Sequence, residues 1–299
     1  MDKTKLRKLL KLFLKIGFTA LLLYLVLNKI NLSEVKKIFQ KSNPFYILLA
    51  LITFFLSQVI SSWRLLFFLK NIGLKISFGF NLRLYLVGMF YNIFLPGGIG
   101  GDGYKIFLLR KKSHLPAKQI FGALFFDRLS GLWAMSLAAV ILLFFIPSTV
   151  IDIEWLIIIF AAGTIIYYFI LQRYFNIVSR HFISSHLKAM GVQLFQMISV
   201  VFILLAIDFR NNVSPYLFCF LVSSLVSVIP FTIGGLGARE YVMIYTAFIF
   251  NIDKNTGVFI SSAFWLISAI VSLQGVYYAY GSYEFKYSSI VTKHKTNPR

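Results

Sequence analysis

Pro96-Gly97-Gly98-Ile99-Gly100-Gly101-Asp102-Gly103-Tyr104-Lys105 interrupts an apolar run in mid-course, and the apolar character resumes after it. A second interruption stands 134 residues further on: Pro230-Phe231-Thr232-Ile233-Gly234-Gly235-Leu236-Gly237-Ala238-Arg239. The two share Pro-x-x-Ile-Gly-Gly-x-Gly-x-Lys/Arg, which reads as an internal duplication whose most similar parts are its two breaks.

The surroundings of the breaks decide the class. Of the 299 residues 59% are hydrophobic and 13% charged, with a mean hydropathy of +0.79, outside the range of soluble domains. The chain reads as an all-α polytopic membrane protein. Its net charge of +20 does not point to nucleic acid, because the basic residues fall mostly in short loops between apolar runs, where they set topology and meet anionic headgroups.

In chain order, Lys3, Lys5, Arg7, Lys8, Lys11 and Lys15 lead into an apolar stretch to Leu27 with no small-residue cleavage site. This is expected to be an uncleaved first span with its N-terminus in the cytoplasm. Residues 31–43 read either as an interfacial helix, with Asn31 as cap and Glu34 three residues on, or as a surface loop. Further spans are expected over 45–69, 119–146, 153–171, 191–207 and 256–281, with the basic C-terminus back in the cytoplasm. Arg64, near the end of its span, is read as snorkelling to the headgroups.

Before the first break, the roughly twelve most apolar residues of 79–95 would rise only about 18 Å as helix, against a hydrocarbon core of about 30 Å. They enter without crossing. The segment therefore reads as a re-entrant hairpin from the cytoplasm, returning through 104–109 to Arg110-Lys111-Lys112, and 216–250 as its counterpart from outside. About six transmembrane helices and two oppositely oriented hairpins result, in two repeats, about 45–146 and 191–281, inverted in the membrane plane as in many transporters. This topology puts 20 of the 30 basic residues in the cytoplasm and 6 outside, and leaves Arg64, Lys105, Arg128 and Arg239 at or near membrane depth, as the positive-inside rule expects.

Broken backbone at that depth is tolerated only where protein buries it or where it lines a polar cavity. Each returning helix is expected to start just after its glycines, so that the N–H groups around Gly100, Gly101, Gly103, Gly234, Gly235 and Gly237 face the tip, with Lys105 and Arg239 about one turn in. Such a pair of tips suits an anion, most naturally a lipid phosphate. Asp102 and Glu240 would bind an amino group on the headgroup or tune the cations. A blander reading stays open beside it: glycines that only permit turns, Asp102 as a helix cap, and local pairing of Lys105 and Arg239 with Asp102, Asp127 or Glu240. Asp127-Arg128 reads equally as a structural pair or as part of the site.

Catalysis finds no support. Cys219 is the sole cysteine, and His114, His181, His186 and His294 lie in basic stretches where exposed side chains, and no metal site, are expected. Residues 98–103 spell G-x-G-x-x-G, but the strand that such a fingerprint requires is replaced by a membrane segment. No cofactor, metal or nucleic-acid partner is expected.

Three motifs in order, Tyr91-Asn92-Ile93-Phe94-Leu95-Pro96-Gly97-Gly98 continuing to Lys105, Phe126-Asp127-Arg128-Leu129-Ser130-Gly131-Leu132, and Ile229-Pro230 with Gly234 to Glu240, resemble the flippase-like family that contains the transmembrane region of lysylphosphatidylglycerol synthases, the multiple peptide resistance factors. The resemblance covers essentially the whole chain. It implies a cell-membrane protein that moves a phospholipid, in the best-known members lysylphosphatidylglycerol, to the outer leaflet, where the added positive charge confers antimicrobial peptide resistance. Full-length members carry a soluble domain that transfers lysine to the lipid. The residues after the last span are too few for one, so that activity is not expected here. The alternatives are the membrane component of an aminoacyl- or glycosyl-lipid transferase, working with a separate soluble synthase, or a scaffold for lipid synthesis. The headgroup, the energy source and assembly as a homodimer stay open.

Overall fold

The computed structural model describes residues 40–94, 100–113, 115–146, 152–175, 181–228, 238–280 and 291–292. The expected first span, residues 31–39 and the glycines of the second break lie outside these. Among the described residues there are nine helices longer than ten residues: α1 Pro44–Asn71, α2 Phe78–Phe94, α3 Gly100–Ser113, α4 Ala117–Leu143, α5 Ile153–Tyr174, α6 Phe182–Ala206, α7 Val213–Ser227, α8 Ala238–Ile249 and α9 Lys254–Tyr280. Five of them, α1, α4, α5, α6 and α9, are long and apolar enough to cross a membrane. The chain is a multi-pass α-helical membrane protein.

Local chemistry sets the helix ends. Asn43 caps α1, its side chain accepting from the Phe45 N–H at 3.0 Å, with Pro44 in the first turn, where a missing N–H costs nothing. Gly73, at φ 90°, turns the chain out of α1 into β1 (Leu74–Lys75), which pairs antiparallel with β2 (Val291–Thr292). At the start of α9, Asp253 accepts from the Thr256 N–H at 2.9 Å, the Thr256 hydroxyl at 2.7 Å and the Asn255 N–H at 3.2 Å. The Tyr216 hydroxyl accepts from the Asp253 N–H at 3.1 Å, which ties this cap to α7.

The order long, short, short, long occurs twice, as α1–α4 and as α6–α9, separated by α5. Packing follows the same order: α1 lies against α2 and α4, as α6 lies against α7 and α9; α2 against α3, as α7 against α8; and α3 against α4, as α8 against α9. Across the halves α1 packs on α6, while α4 meets α6 and α7 as α9 meets α1 and α2. The α1–α6 seam is pinned by the Ser199 hydroxyl donating to the Ala50 carbonyl at 2.8 Å. Asn81 on α2 donates to the Ser62 carbonyl of α1 at 2.6 Å. Helix α5 packs on α4 alone among its more extensive contacts, with Trp133 Nε1 donating to Thr164 at 3.0 Å. The rest of its apolar surface, including Ile158, Ile159, Ile166 and Phe169, is exposed, as suits a lipid-facing span.

The buried apolar residues form two main clusters, and the same two helices run through both. On α1, Ala50 and Phe54 belong to one cluster and Leu65, Leu66, Phe68 and Leu69 to the other; on α4, Ala138, Ala139 and Leu143 belong to the first, and Ile120, Ala123, Leu124 and Phe126 to the second. Between them, buried, lie Ser57, Gln58, Ser61, Ser62 and Arg64 on α1 and Asp127 and Ser130 on α4. The fold thus holds a polar layer between two apolar ones, and Asp127 stands about 15 Å from the start of α4 at 1.5 Å per residue.

Two boundaries differ from expectation. Helix α6 starts at Phe182, well before residue 191, so His186 and Lys188 are helical. The Lys188 ammonium bonds to the Ser184 hydroxyl at 2.7 Å and lies 5.0 and 4.6 Å from the ring centroids of Trp63 and Phe67. Aromatic and hydroxyl partners thus let a helix run on where hydropathy falls. Helix α3 starts at Gly100, so Gly100, Gly101 and Gly103 form its first turn and do not precede it.

Thr256 holds the Asp253 carboxyl below the usual carboxylate range, chiefly through its hydroxyl and N–H. A carboxyl lowered by folding stabilises above its unfolded pKa, and that contribution fades as pH falls through the folded value. Asp253→Ala is expected to cost about 1 kcal/mol at neutral pH and progressively less as the pH falls below the ordinary Asp value of about 3.9, checked by thermal unfolding in detergent across pH.

Candidate functional site

The polar layer encloses a cavity of about 330 Å³ lined by Gln58, Ser61, Arg64, Tyr85, Asn92, Asp102, Lys105, Asp127, Arg128, Gln193, Ser224 and Arg239, among others. An adjoining space of about 220 Å³ shares Gln58, Tyr85, Asn92, Lys105, Gln196 and Arg239 with it and reaches Phe264 and Ser268 on α9. The four basic residues expected at membrane depth, Arg64, Lys105, Arg128 and Arg239, thus come from four different helices to one cavity. Among the described residues they face two lining carboxylates, Asp102 and Asp127, which leaves this lining with a positive excess.

Each charge is positioned by its helix. Arg64 does not snorkel: it is only 6% exposed, and its Nε donates to Asp127 Oδ1 at 2.8 Å. Asp127 projects from near the middle of α4, and pairing costs less than leaving two ions alone in a low-dielectric interior. The Arg64 guanidinium lies over Gly131, where a Cβ would come within 3.3 Å of Nη1. Nη1 is buried and has no partner among the described residues.

Asp102 holds two cations. Lys105 donates to its Oδ1 at 3.2 Å, one turn on in α3, and Arg128 donates to its Oδ2 from α4. Lys105 is 5% exposed, and its ammonium sits 4.7 Å from the Tyr85 ring centroid. Its stem crosses Gly88 of α2, where a Cβ would stand 2.2 Å from Lys105 Cε, so a side chain at position 88 would block its path.

The glycines divide by use. Gly101 lets α3 approach α2, since a Cβ there would fall 1.8 Å from the Gly88 carbonyl oxygen. Its N–H donates to Asn92 Oδ1 at 2.8 Å, so this donor at the helix start is occupied by the protein. Gly103 has open space where a Cβ would be. Gly234, Gly235 and Gly237 lie outside the described residues.

Arg239 is the second described residue of α8. Its guanidinium carbon stands 5.4 and 6.0 Å from the ring centroids of Phe264 and Phe220, and its buried Nε has no hydrogen-bond partner among the described residues. Glu240 does not line the cavity; it accepts from the Ser261 hydroxyl of α9 at 2.9 Å.

Several lining residues escaped the sequence reading: Gln58, Asn92, Gln193, Gln196 and Ser224. Gln193 and Ser224 are buried, and Gln193 Oε1 and Ser224 Oγ have no partner among the described residues. The available signal was an amide or hydroxyl inside a long apolar run. His186 also departs from expectation: it is buried, stacked on Phe182 at 3.8 Å between ring centroids, with Nδ1 2.7 Å from the Phe182 carbonyl. Among the described residues no group of three or more His, Cys, Asp or Glu is placed to hold a metal.

Residues 12–189 match the family described as Lysylphosphatidylglycerol synthase TM region. The chain belongs to this family. It is 27% identical over 207 residues to UPF0104 membrane protein MJ1078 of Methanocaldococcus jannaschii, covering 60% of this chain and 88% of that protein. To UPF0104 membrane protein MJ1595 of the same organism it is 30% identical over 104 residues, 34% of this chain and 31% of that one; the chain thus spans about a third of that relative's length. No solved structure matches. The matched region of the family contains Arg64, Lys105, Asp102, Asp127 and Arg128, while Arg239 lies beyond it.

Removing one member of the buried pair leaves the other uncompensated. Asp127→Leu is expected to destabilise by about 3–5 kcal/mol, and Arg64→Met added to it to restore much of the loss, as read by thermal unfolding in detergent.

Proposed function

We propose that this protein moves a phospholipid between leaflets, holding the lipid phosphate in the central cavity while the acyl chains stay in the bilayer. One observation carries the reading: Lys105 and Arg239, at matching positions in the two halves, line a single cavity with Arg64 and Arg128. Four cations at mid-depth in a membrane protein are costly without a negatively charged guest, and arginine and lysine are the usual phosphate ligands. The combined space of the two voids lies within the range of small-molecule sites, room for a headgroup and not for a diacyl lipid.

In this reading α2–α3 and α7–α8 are the two re-entrant hairpins, entering from the cytoplasmic and outer sides, and α1–α4 and α6–α9 are inverted repeats. The matched packing of the halves supports it, as do the rises of the short helices, about 18–26 Å at 1.5 Å per residue, against a hydrocarbon core of about 30 Å. The termini then lie in the cytoplasm, at the cell membrane. Rocking one half against the other would expose the cavity to each leaflet in turn, the alternating access of inverted-repeat transporters. Family membership favours an anionic or aminoacylated phospholipid, with lysylphosphatidylglycerol and antimicrobial peptide resistance as the best-known case.

The test is transbilayer movement of labelled phospholipid in liposomes containing the purified protein. Lys105→Gln together with Arg239→Gln is expected to slow movement by about tenfold or more, the loss of at least one charge-assisted contact. Movement unchanged in the folded double variant overturns the site assignment; no movement by the unaltered protein of any phospholipid overturns the function.

A further inference from the structure

We propose that the headgroup taken by this cavity is a phosphodiester whose far side carries a neutral polyol, such as glycerol, inositol or a sugar, and not an amine. The inference rests on the reading that a lipid phosphate enters the cavity, and it narrows the substrate within it.

Charge comes first. An ammonium is best received by a carboxylate without a cation of its own, and among the described residues each lining carboxylate already holds one: Asp127 holds Arg64 through Oδ1, and Asp102 holds Lys105 through one oxygen and Arg128 through the other. Glu240, the acidic neighbour of Arg239, is turned to Ser261. A phosphate at Lys105 and Arg239 neutralises part of the positive excess, but an amine beyond it would still meet Arg64 and Arg128 without a carboxylate of its own.

Hydrogen-bond chemistry points the same way. Beside the charges, the wall is built of amides and hydroxyls: Gln58, Asn92, Gln193, Gln196 and Ser224. Four of its buried polar atoms have no partner among the described residues: Gln193 Oε1, an acceptor; Arg64 Nη1 and Arg239 Nε, donors; and Ser224 Oγ, which can be either. Gln193 is buried, at 2% exposure, and lines the cavity. A polyol hydroxyl both donates and accepts, so neighbouring hydroxyls satisfy this mixed set, whereas an ammonium offers three donors and no acceptor and leaves Arg64 Nη1 unpaired. Buried polar groups left unpaired are what make such a site selective.

The test separates binding from movement. Protein in detergent is titrated, with native mass spectrometry as readout, against dioctanoyl phosphatidylglycerol, phosphatidylinositol, phosphatidylethanolamine and lysylphosphatidylglycerol, and against water-soluble glycerophosphoglycerol. The two polyol lipids are expected to bind about tenfold or more tightly than the two amine lipids. Gln193→Leu should remove that preference by weakening polyol binding alone, and Gln193→Glu, which supplies a carboxylate, should shift the preference toward lysylphosphatidylglycerol. Equal or tighter binding of the amine lipids overturns the inference, as does a polyol preference untouched in both folded variants. Soluble glycerophosphoglycerol binding as tightly as phosphatidylglycerol would overturn the assignment to a lipid. The same protein in liposomes reads the wider proposal: selective binding of polyol lipids without movement would sink transport and leave this inference standing, and movement with no binding preference would do the reverse.

Discussion

An ion inside a membrane protein must be paired or must face water or a ligand, and the Arg64–Asp127 contact is where this molecule first meets that demand. It joins the last third of α1 to the middle of α4, and the second carboxylate, Asp102, joins α3 to α4 through Arg128. These two links gather a long helix, a short helix and another long helix around one polar space. Apolar clusters on either side of the layer keep the helices at the spacing that the pairs require. Without the pairs the cavity would be a set of buried, mutually repelling cations; without the clusters nothing would hold the pairs at depth.

Much of this could be read from the chain. The five long helices follow from runs of apolar residues, and the short ones from runs cut off by proline and glycine. Positions 64, 105, 128 and 239 stood out because no loop could claim them. What could not be read was which carboxylate each would meet. Arg64 lies 63 residues from Asp127, and spacing along a chain carries no information about contacts between helices that far apart. The amides were missed for a related reason: Gln193 in an apolar helix looks like a tolerated polar residue until its neighbours are known. His186 misled because a basic stretch suggested a loop, while stacking on Phe182 and an edge-to-face contact with Trp133 bury it.

The glycines also mean more in the structure than in the sequence. In the sequence those of the two breaks, Gly101 among them, read as allowing a turn. In the fold, Gly88, Gly101 and Gly131 act as clearance: one lets a lysine stem pass, one lets two short helices touch, and one seats a guanidinium. Gly275 does the same for α9, where a Cβ would fall 2.3 Å from the Leu86 carbonyl oxygen of α2. In lipid, where apolar surface gains nothing by leaving the bilayer for another helix, close backbone approach of this kind is a main source of association.

The span between the partners of the buried pair also sets a schedule for the growing chain. Helix α1 enters the membrane carrying Arg64 while Asp127 is still unmade, and at about 5–20 residues per second its partner follows about 3–13 s later. For that interval the guanidinium has to be sheltered by the insertion machinery, by water drawn into the bilayer or by headgroups pulled inward. The Arg64–Asp127 contact between α1 and α4 can form only once α4 has been made.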